Sequence, residues 1–144
     1  MRGKESLNEL RPKGQMTAEI MGRIGREYPR LRSLSLASNS ISYVYSIAIK
    51  KIENLHRLPL LEKLNLSKNQ IYKIEGLGFQ SNLRELNLAH NFIEVIQGLE
   101  SLINLTMLNL SYNKISDINE IKKLQVNTSL RILSLEGNPI TNTK

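Results

Sequence analysis

The 144-residue sequence contains no cysteine. That excludes a disulfide framework and any thiolate metal site. No apolar run approaches the ~20 residues that a membrane-spanning helix needs, which argues against a membrane protein. The N-terminal stretch MRGKESLNELRPKGQ lacks the apolar segment of a secretory signal. Catalytic signatures are missing as well: there is no G-x-x-x-x-G-K-[ST], no H-E-x-x-H and no G-x-S-x-G. Only two histidines occur, His56 and His90, and neither has a carboxylate or serine at motif spacing. No catalytic residue, cofactor site or metal site is therefore expected.

Charge is present but unevenly spread, with a net value of +7. Residues 1–60 carry 11 Lys and Arg against 5 Asp and Glu, whereas residues 61–144 carry 9 against 8. A basic front end suits nucleic acid or an acidic protein tail. It lacks the interleaving of aromatic and basic residues that a nucleic-acid platform uses. A solvated, Arg-rich cap is the preferred expectation, with nucleic acid the lesser alternative.

What the sequence does have is a repeat. Five segments align without gaps to L-x-x-L-x-L-x-x-N-x-I: LRSLSLASNSI from Leu31, LEKLNLSKNQI from Leu61, LRELNLAHNFI from Leu83, LTMLNLSYNKI from Leu105 and LRILSLEGNPI from Leu130. Their starts are separated by 30, 22, 22 and 25 residues. In L-x-L the two leucines point to one face of a short strand and the residue between them to the other. Stacked parallel strands then put Leu34, Leu64, Leu86, Leu108 and Leu133 in one buried column, with Leu36, Leu66, Leu88, Leu110 and Leu135 in the next. No turn can bury its own leucines, so each depends on its neighbours. A buried leucine contributes roughly 1.5–3 kcal/mol.

The column Asn39, Asn69, Asn91, Asn113 and Asn138 falls where the strand ends and the chain bends inward. A buried amide there can bond the backbone groups that the bend leaves unpaired, so these asparagines are read as structural. Ile74, Leu77, Ile96, Leu99 and Leu102 on the return path complete the core, and Gly76 and Gly98 suit turns. A 22-residue turn is too short for a full helix there, so 3₁₀ or single-turn helical pieces are expected.

These repeats resemble the short, 22-residue class of leucine-rich repeats found in the regulatory subunit of protein phosphatase 1. KIENLHRL and NLSYNKISDINEI are close to that class's turn pattern, N-x-I-x-x-I-x-x-L. The resemblance covers roughly residues 30–140 and extends to axonemal dynein light chain 1, centriolin and other ciliary or centrosomal proteins. It implies an α/β fold: a right-handed solenoid with a parallel β-sheet on the concave face and short helical or irregular turns on the convex face. It also implies a protein partner. Extracellular members usually close their ends with disulfide-bonded caps, so the missing cysteines point to the cytoplasm, with cilium or centrosome next and the nucleus a further setting.

Two departures stand out. The class continues past its last G-N-P, here Gly137-Asn138-Pro139, into a C-terminal cap, whereas this sequence stops at Lys144. A truncated cap is expected, with an open C-terminal edge through which an otherwise monomeric chain could dimerise. The 30-residue first spacing implies an insert of about Ser42–Ile49, in which Tyr43, Val44 and Tyr45 are candidate contact residues. Ahead of the repeats, residues 1–14 read as a flexible basic tail and residues 15–30 as a helical cap. In that cap Met16, Ile20, Ile24 and Tyr28 form an apolar stripe, which Gly22 and Gly25 weaken. Residues 31–144 hold the five repeats.

The outward residues of the strands mark the candidate binding face. They are Lys63, Asn65, Glu85, Asn87, Met107, Asn109, Ile132 and Ser134, with His90 and Tyr112 just beyond. Apolar and aromatic side chains gather toward the C-terminal end, at Met107, Tyr112 and Ile132, and such residues anchor protein interfaces. The expected function is a non-catalytic scaffold that holds a partner protein on this face. A phosphatase 1 regulatory role and a spliceosomal-type, RNA-associated role are the alternatives. The phosphatase regulator's face is rich in acidic and aromatic residues, as the resemblance implies, whereas Glu85 here, and Glu136 in the flanking column of Ala37, Ser67, Ala89 and Ser111, are the only acids.

Overall fold

The computed structural model describes residues 18–37 and 48–142, with side chains from Met21 onward. The expected basic tail, Asn39 and the contact residues Tyr43, Val44 and Tyr45 lie outside the described residues. Each L-x-L segment forms a three-residue strand: β1 (Ser33–Ser35), β2 (Lys63–Asn65), β3 (Glu85–Asn87), β4 (Met107–Asn109) and β5 (Ile132–Ser134). The five pair in parallel, in chain order, as one sheet. The register aligns Leu34 with Leu64, Leu64 with Leu86, Leu86 with Leu108 and Leu108 with Leu133. The repeats therefore stack without slippage, because a one-residue shift would turn every leucine to the solvent face.

Leu64, Leu86 and Leu108, with Leu66, Leu88 and Leu110, form the buried centre of the core. Behind them stand Ile71, Ile93 and Ile115, then Ile52, Ile74 and Ile96, then Leu55, Leu77 and Leu99. Burial is incomplete at the last turn, where Leu130, Leu133, Leu135 and Ile140 are only partly covered. That gradient follows from stacking: an inner turn is covered from both sides.

The buried asparagines do what their position in the repeat suggests. Asn91 donates from Nδ2 to the carbonyls of Leu66 and Leu88, both at 3.0 Å, and its Oδ1 accepts the Ile71 N–H at 3.0 Å. Asn69, Asn113 and Asn138 repeat the arrangement one turn apart. Asn69 accepts from the Ile49 N–H as Asn91 does from Ile71. Ile49, at the end of the expected insert, thus occupies the isoleucine place of the repeat.

Helix α1 (Ala18–Glu27) sits over the first turn. Met21 and Ile24 are buried and Tyr28 packs against the core; Met21, at i−3 from Ile24, joins the stripe expected at four-residue steps. Gly25 has a use beyond weakening the helix. A Cβ there would collide with the Arg57 side chain, so its absence lets α1 settle on the 3₁₀ turn Leu55–Arg57. Among the described residues, convex helical pieces are confined to that turn, to Lys123–Val126 and Pro139–Thr141, and to the single-turn helix α2 (Asn119–Lys122). Helix α2 uses the extra length of the 25-residue spacing. Its Glu120 accepts from Lys123 Nζ at 2.7 Å and from the Ile96 N–H at 2.8 Å. Those two bonds, in that order, hold its carboxyl below the usual range.

Gln80 and Asn127 occupy places in the convex column that Leu58 and Leu102 fill elsewhere, and both are buried. Gln80 Nε2 donates to Leu55 O at 2.7 Å, while Gln80 Oε1 and Asn127 Oδ1 have no partner. The Leu55 carbonyl already accepts the Leu58 N–H, so it would not be orphaned without Gln80.

Two stability measurements follow by urea denaturation. Asn91→Ala strands the Ile71 N–H and is expected to cost about 2–4 kcal/mol. Gln80→Leu removes the orphaned oxygen and keeps the side chain's bulk. It should leave stability within about 1 kcal/mol of wild type, or raise it.

Candidate partner-binding surface

The outward residues of β1 to β4 line an open groove of about 320 Å³. Lys63, Asn65, Glu85, Asn87, Met107 and Asn109 come together there, with Ser33 and Ser35 at its N-terminal end. Lys63 Nζ and Glu85 Oε1 are 3.2 Å apart across β2 and β3, so the groove's facing charges offset each other. That pair is exposed and adds little to stability.

The asparagines that end β2, β3 and β4 are oriented by their own chain. Asn65 Oδ1 accepts the Ser67 N–H at 3.0 Å, Asn87 Oδ1 the Ala89 N–H at 3.0 Å and Asn109 Oδ1 the Ser111 N–H at 2.9 Å. A backbone N–H at the oxygen settles which end of each amide is which. Each acceptor is thereby engaged by the chain itself, and the Nδ2 groups are left as donors on the sheet's outer face. The neighbouring register pair Met107 and Ile132 is apolar and exposed, Ile132 by half of its surface. Ser134 is half-buried beside Asn109 in the register.

His90 and Tyr112 are placed elsewhere. Both have left-handed backbone, with φ of 56° and 55°, as has Lys68 at 57°. These residues stand one position before a buried asparagine, where the chain leaves the strand at the flank of the solenoid, and none of them lines the groove. The rings of His90 and Tyr112 stack at 4.4 Å with an interplanar angle of 8°. Gly137 completes the column, and a Cβ there would run into the Tyr112 ring. Tyr112 OH donates to Glu136 Oε1 at 3.1 Å. That bond, then the negative charge of Glu136, then burial, raise the phenol's pKa above its usual value.

The same flank carries residues that the strand pattern does not single out. Phe92 follows Asn91 as His90 precedes it, and Tyr72 stacks on Phe92 at 5.1 Å. Lys114 Nζ lies 4.9 Å from the centre of the Phe92 ring. A signal was available: Phe92 and Lys114 each follow a repeat asparagine and so hold the same position in successive repeats.

Among the described residues, no group of three or more His, Cys, Asp or Glu side chains is arranged to hold a metal ion. Nor is any helix long and apolar enough to cross a membrane.

The chain carries leucine-rich repeats on a leucine-rich-repeat fold. A profile of two leucine-rich repeats matches residues 81–123, and a single-repeat profile matches residues 126–143. A chain of the Drosophila melanogaster SNF/U2A′ complex is 26% identical, with a TM-score of 0.70 over 90% of this chain and 73% of that one. An internalin from Listeria monocytogenes is 28% identical, with a TM-score of 0.66 over 88% of this chain. This chain spans about a third of that internalin's length, 32%. A chain of the TLR13–ssRNA13 complex is 28% identical, with a TM-score of 0.65, over 82% of this chain and 16% of that one. No curated protein matches the sequence. The resemblance to the phosphatase 1 regulator and to dynein light chain 1 gains no support from these matches. Leucine-rich-repeat domains are typically protein-binding scaffolds and generally non-catalytic.

The Tyr112–Glu136 bond is open to a direct check by following tyrosinate absorbance through an alkaline titration. In the wild type one phenol should titrate above the ordinary tyrosine range. In Glu136→Gln, which removes the charge, that component should move down toward the others.

Proposed function

We propose that this chain is a non-catalytic scaffold that holds a partner protein in the groove on its strand face. The observation that carries the reading is the row Asn65, Asn87 and Asn109, whose amide donors are pre-oriented by backbone bonds and turned outward. Donors fixed in advance lose little freedom when a partner binds. The groove favours a partner that presents hydrogen-bond acceptors to this row and an apolar side chain to Met107 and Ile132. Lys63 and Glu85 would add register, since a mismatched charge opposite either one is disfavoured. A cytoskeletal, ciliary or centrosomal setting rests on the repeat resemblance alone, as does a phosphatase 1 regulatory role.

A second reading is a spliceosomal-type role beside RNA. It is favoured by the similarity to the SNF/U2A′ complex, which extends over 90% of this chain. In that reading too the strand face takes a protein, and RNA is a neighbour.

Affinity capture with the wild type, Met107→Glu and the convex-face control Phe79→Glu tests the site, once all three show matching thermal melts. A partner lost with Met107→Glu and kept with Phe79→Glu supports the strand face. Recovery of the same partner by all three would remove it. Recovery of splicing components or of phosphatase 1 decides between the settings.

A further inference from the structure

We propose that the flank of the solenoid, at the C-terminal ends of the strands, is a second binding surface, which takes single-stranded nucleic acid through ring stacking and lysine–phosphate contacts. The front end of the sequence shows no regular interleaving of aromatic and basic residues. Folding creates one, from residues a full repeat apart.

Two ring stacks run along this flank. In the first, Tyr72 lies on Phe92, whose ring also meets Lys114 at 4.9 Å. In the second, His90 lies on Tyr112, whose ring covers Gly137. Each stack is closed at its C-terminal end by its own neighbours. At the other end, among the described residues, no ring or cation packs on the remaining face of Tyr72 or His90. Tyr72 is 63% exposed, so its face is open to a ligand.

In the repeat before each open face, the equivalent position holds a lysine. Gln70 N bonds Ile49 O as Phe92 N bonds Ile71 O, which makes Lys50 the counterpart of Tyr72 one repeat earlier. Lys68 is likewise the counterpart of His90, sharing its left-handed backbone and its bond to the next repeat. Lys50, Lys68 and Lys114 are exposed and, among the described residues, have no carboxylate partner. The acids nearby are Glu94, which follows Tyr72 in its column, and Glu136, which Tyr112 engages. Flanking Lys51 and Lys73 are 3.9 Å from Glu53 and Glu75, and those pairs leave the flank's cationic excess with the other three lysines.

An open ring face beside an uncommitted ammonium suits a base and its phosphate together. An acidic peptide would use the lysines and leave the ring faces unused. The net charge of +7 adds long-range attraction for a polyanion.

The test is fluorescence anisotropy of the full chain with labelled oligo(U) and oligo(dT) of about 12 nucleotides, within the usual range of single-strand sites. Binding of both is expected at ~50 mM salt and should weaken steeply by ~200 mM. Tyr72→Ala and His90→Asn should each weaken it at least about fivefold. Asn tolerates the left-handed backbone at that position. Tyr72→Phe, which keeps the ring, should retain binding, as should Met107→Ala on the strand face. Lys50→Gln and Lys68→Gln should each flatten the salt dependence. Absence of saturable binding at low salt would overturn the proposal. So would full binding by both ring variants, which would place the nucleic acid on the basic front end. Displacement by polyglutamate as effective as by unlabelled oligonucleotide would also overturn it, and would make the flank a surface for acidic protein.

Discussion

One amide, repeated down the solenoid, ties each turn to the turn before it. Asn69, Asn91, Asn113 and Asn138 all donate to carbonyls of two successive turns and accept an isoleucine N–H from the earlier one. The strands are only three residues long and have few ladder bonds of their own. The chain must bend sharply after each strand, and a bend in the interior would otherwise strand polar backbone groups at considerable cost. Leucine columns supply the driving force for stacking, but apolar contact is non-directional. The asparagines convert that attraction into one spacing and one register.

That spacing governs what the outer surfaces can present. Because every turn repeats at the same height, equivalent side chains fall into straight columns, and each column has a chemistry of its own. The middle of the strand face is a column of asparagine amides, oriented by backbone bonds, with a neutralised ion pair on one side and apolar Met107 and Ile132 further along. Beside the buried asparagines, the columns include the rings of His90, Tyr112 and Phe92 and the lysines Lys68 and Lys114. Side chains from successive repeats can stack within a column, as His90 and Tyr112 do, or between adjacent columns, as Tyr72 and Phe92 do. A flat groove of donors and a ridge of rings are therefore products of the same repeat, and they are suited to different ligands.

The left-handed residues at the strand exits carry a local cost. L-residues other than glycine seldom adopt positive φ, yet Lys68, His90 and Tyr112 all do. Gly137 takes the same conformation without penalty, and its missing side chain is also where the Tyr112 ring lies. The bonds from the N–H groups of Lys68, His90 and Tyr112 to Ala89, Ser111 and Glu136 offset that cost. The solenoid thus accepts strain at one column to keep neighbouring repeats bonded through the bend.

The sequence by itself determined the repeat, the strand positions, the leucine and asparagine columns and the parallel stacking. All of these rest on short spacings whose geometry is local. It also placed Lys63, Asn65, Glu85, Asn87, Met107 and Asn109 on one face, since alternation along a strand is local too. Only the tertiary structure decided that His90 and Tyr112 leave that face, because their direction depends on a left-handed bend stabilised by the next repeat. The use of Gly25 is equally invisible in a window of helix, since it depends on Arg57 approaching from another turn. The same holds for the isoleucine place filled by Ile49, which is defined by a bond to Asn69, and for the Tyr72–Phe92–Lys114 ladder. Contacts between residues a whole turn apart in sequence form only when stacking has set the distance between turns.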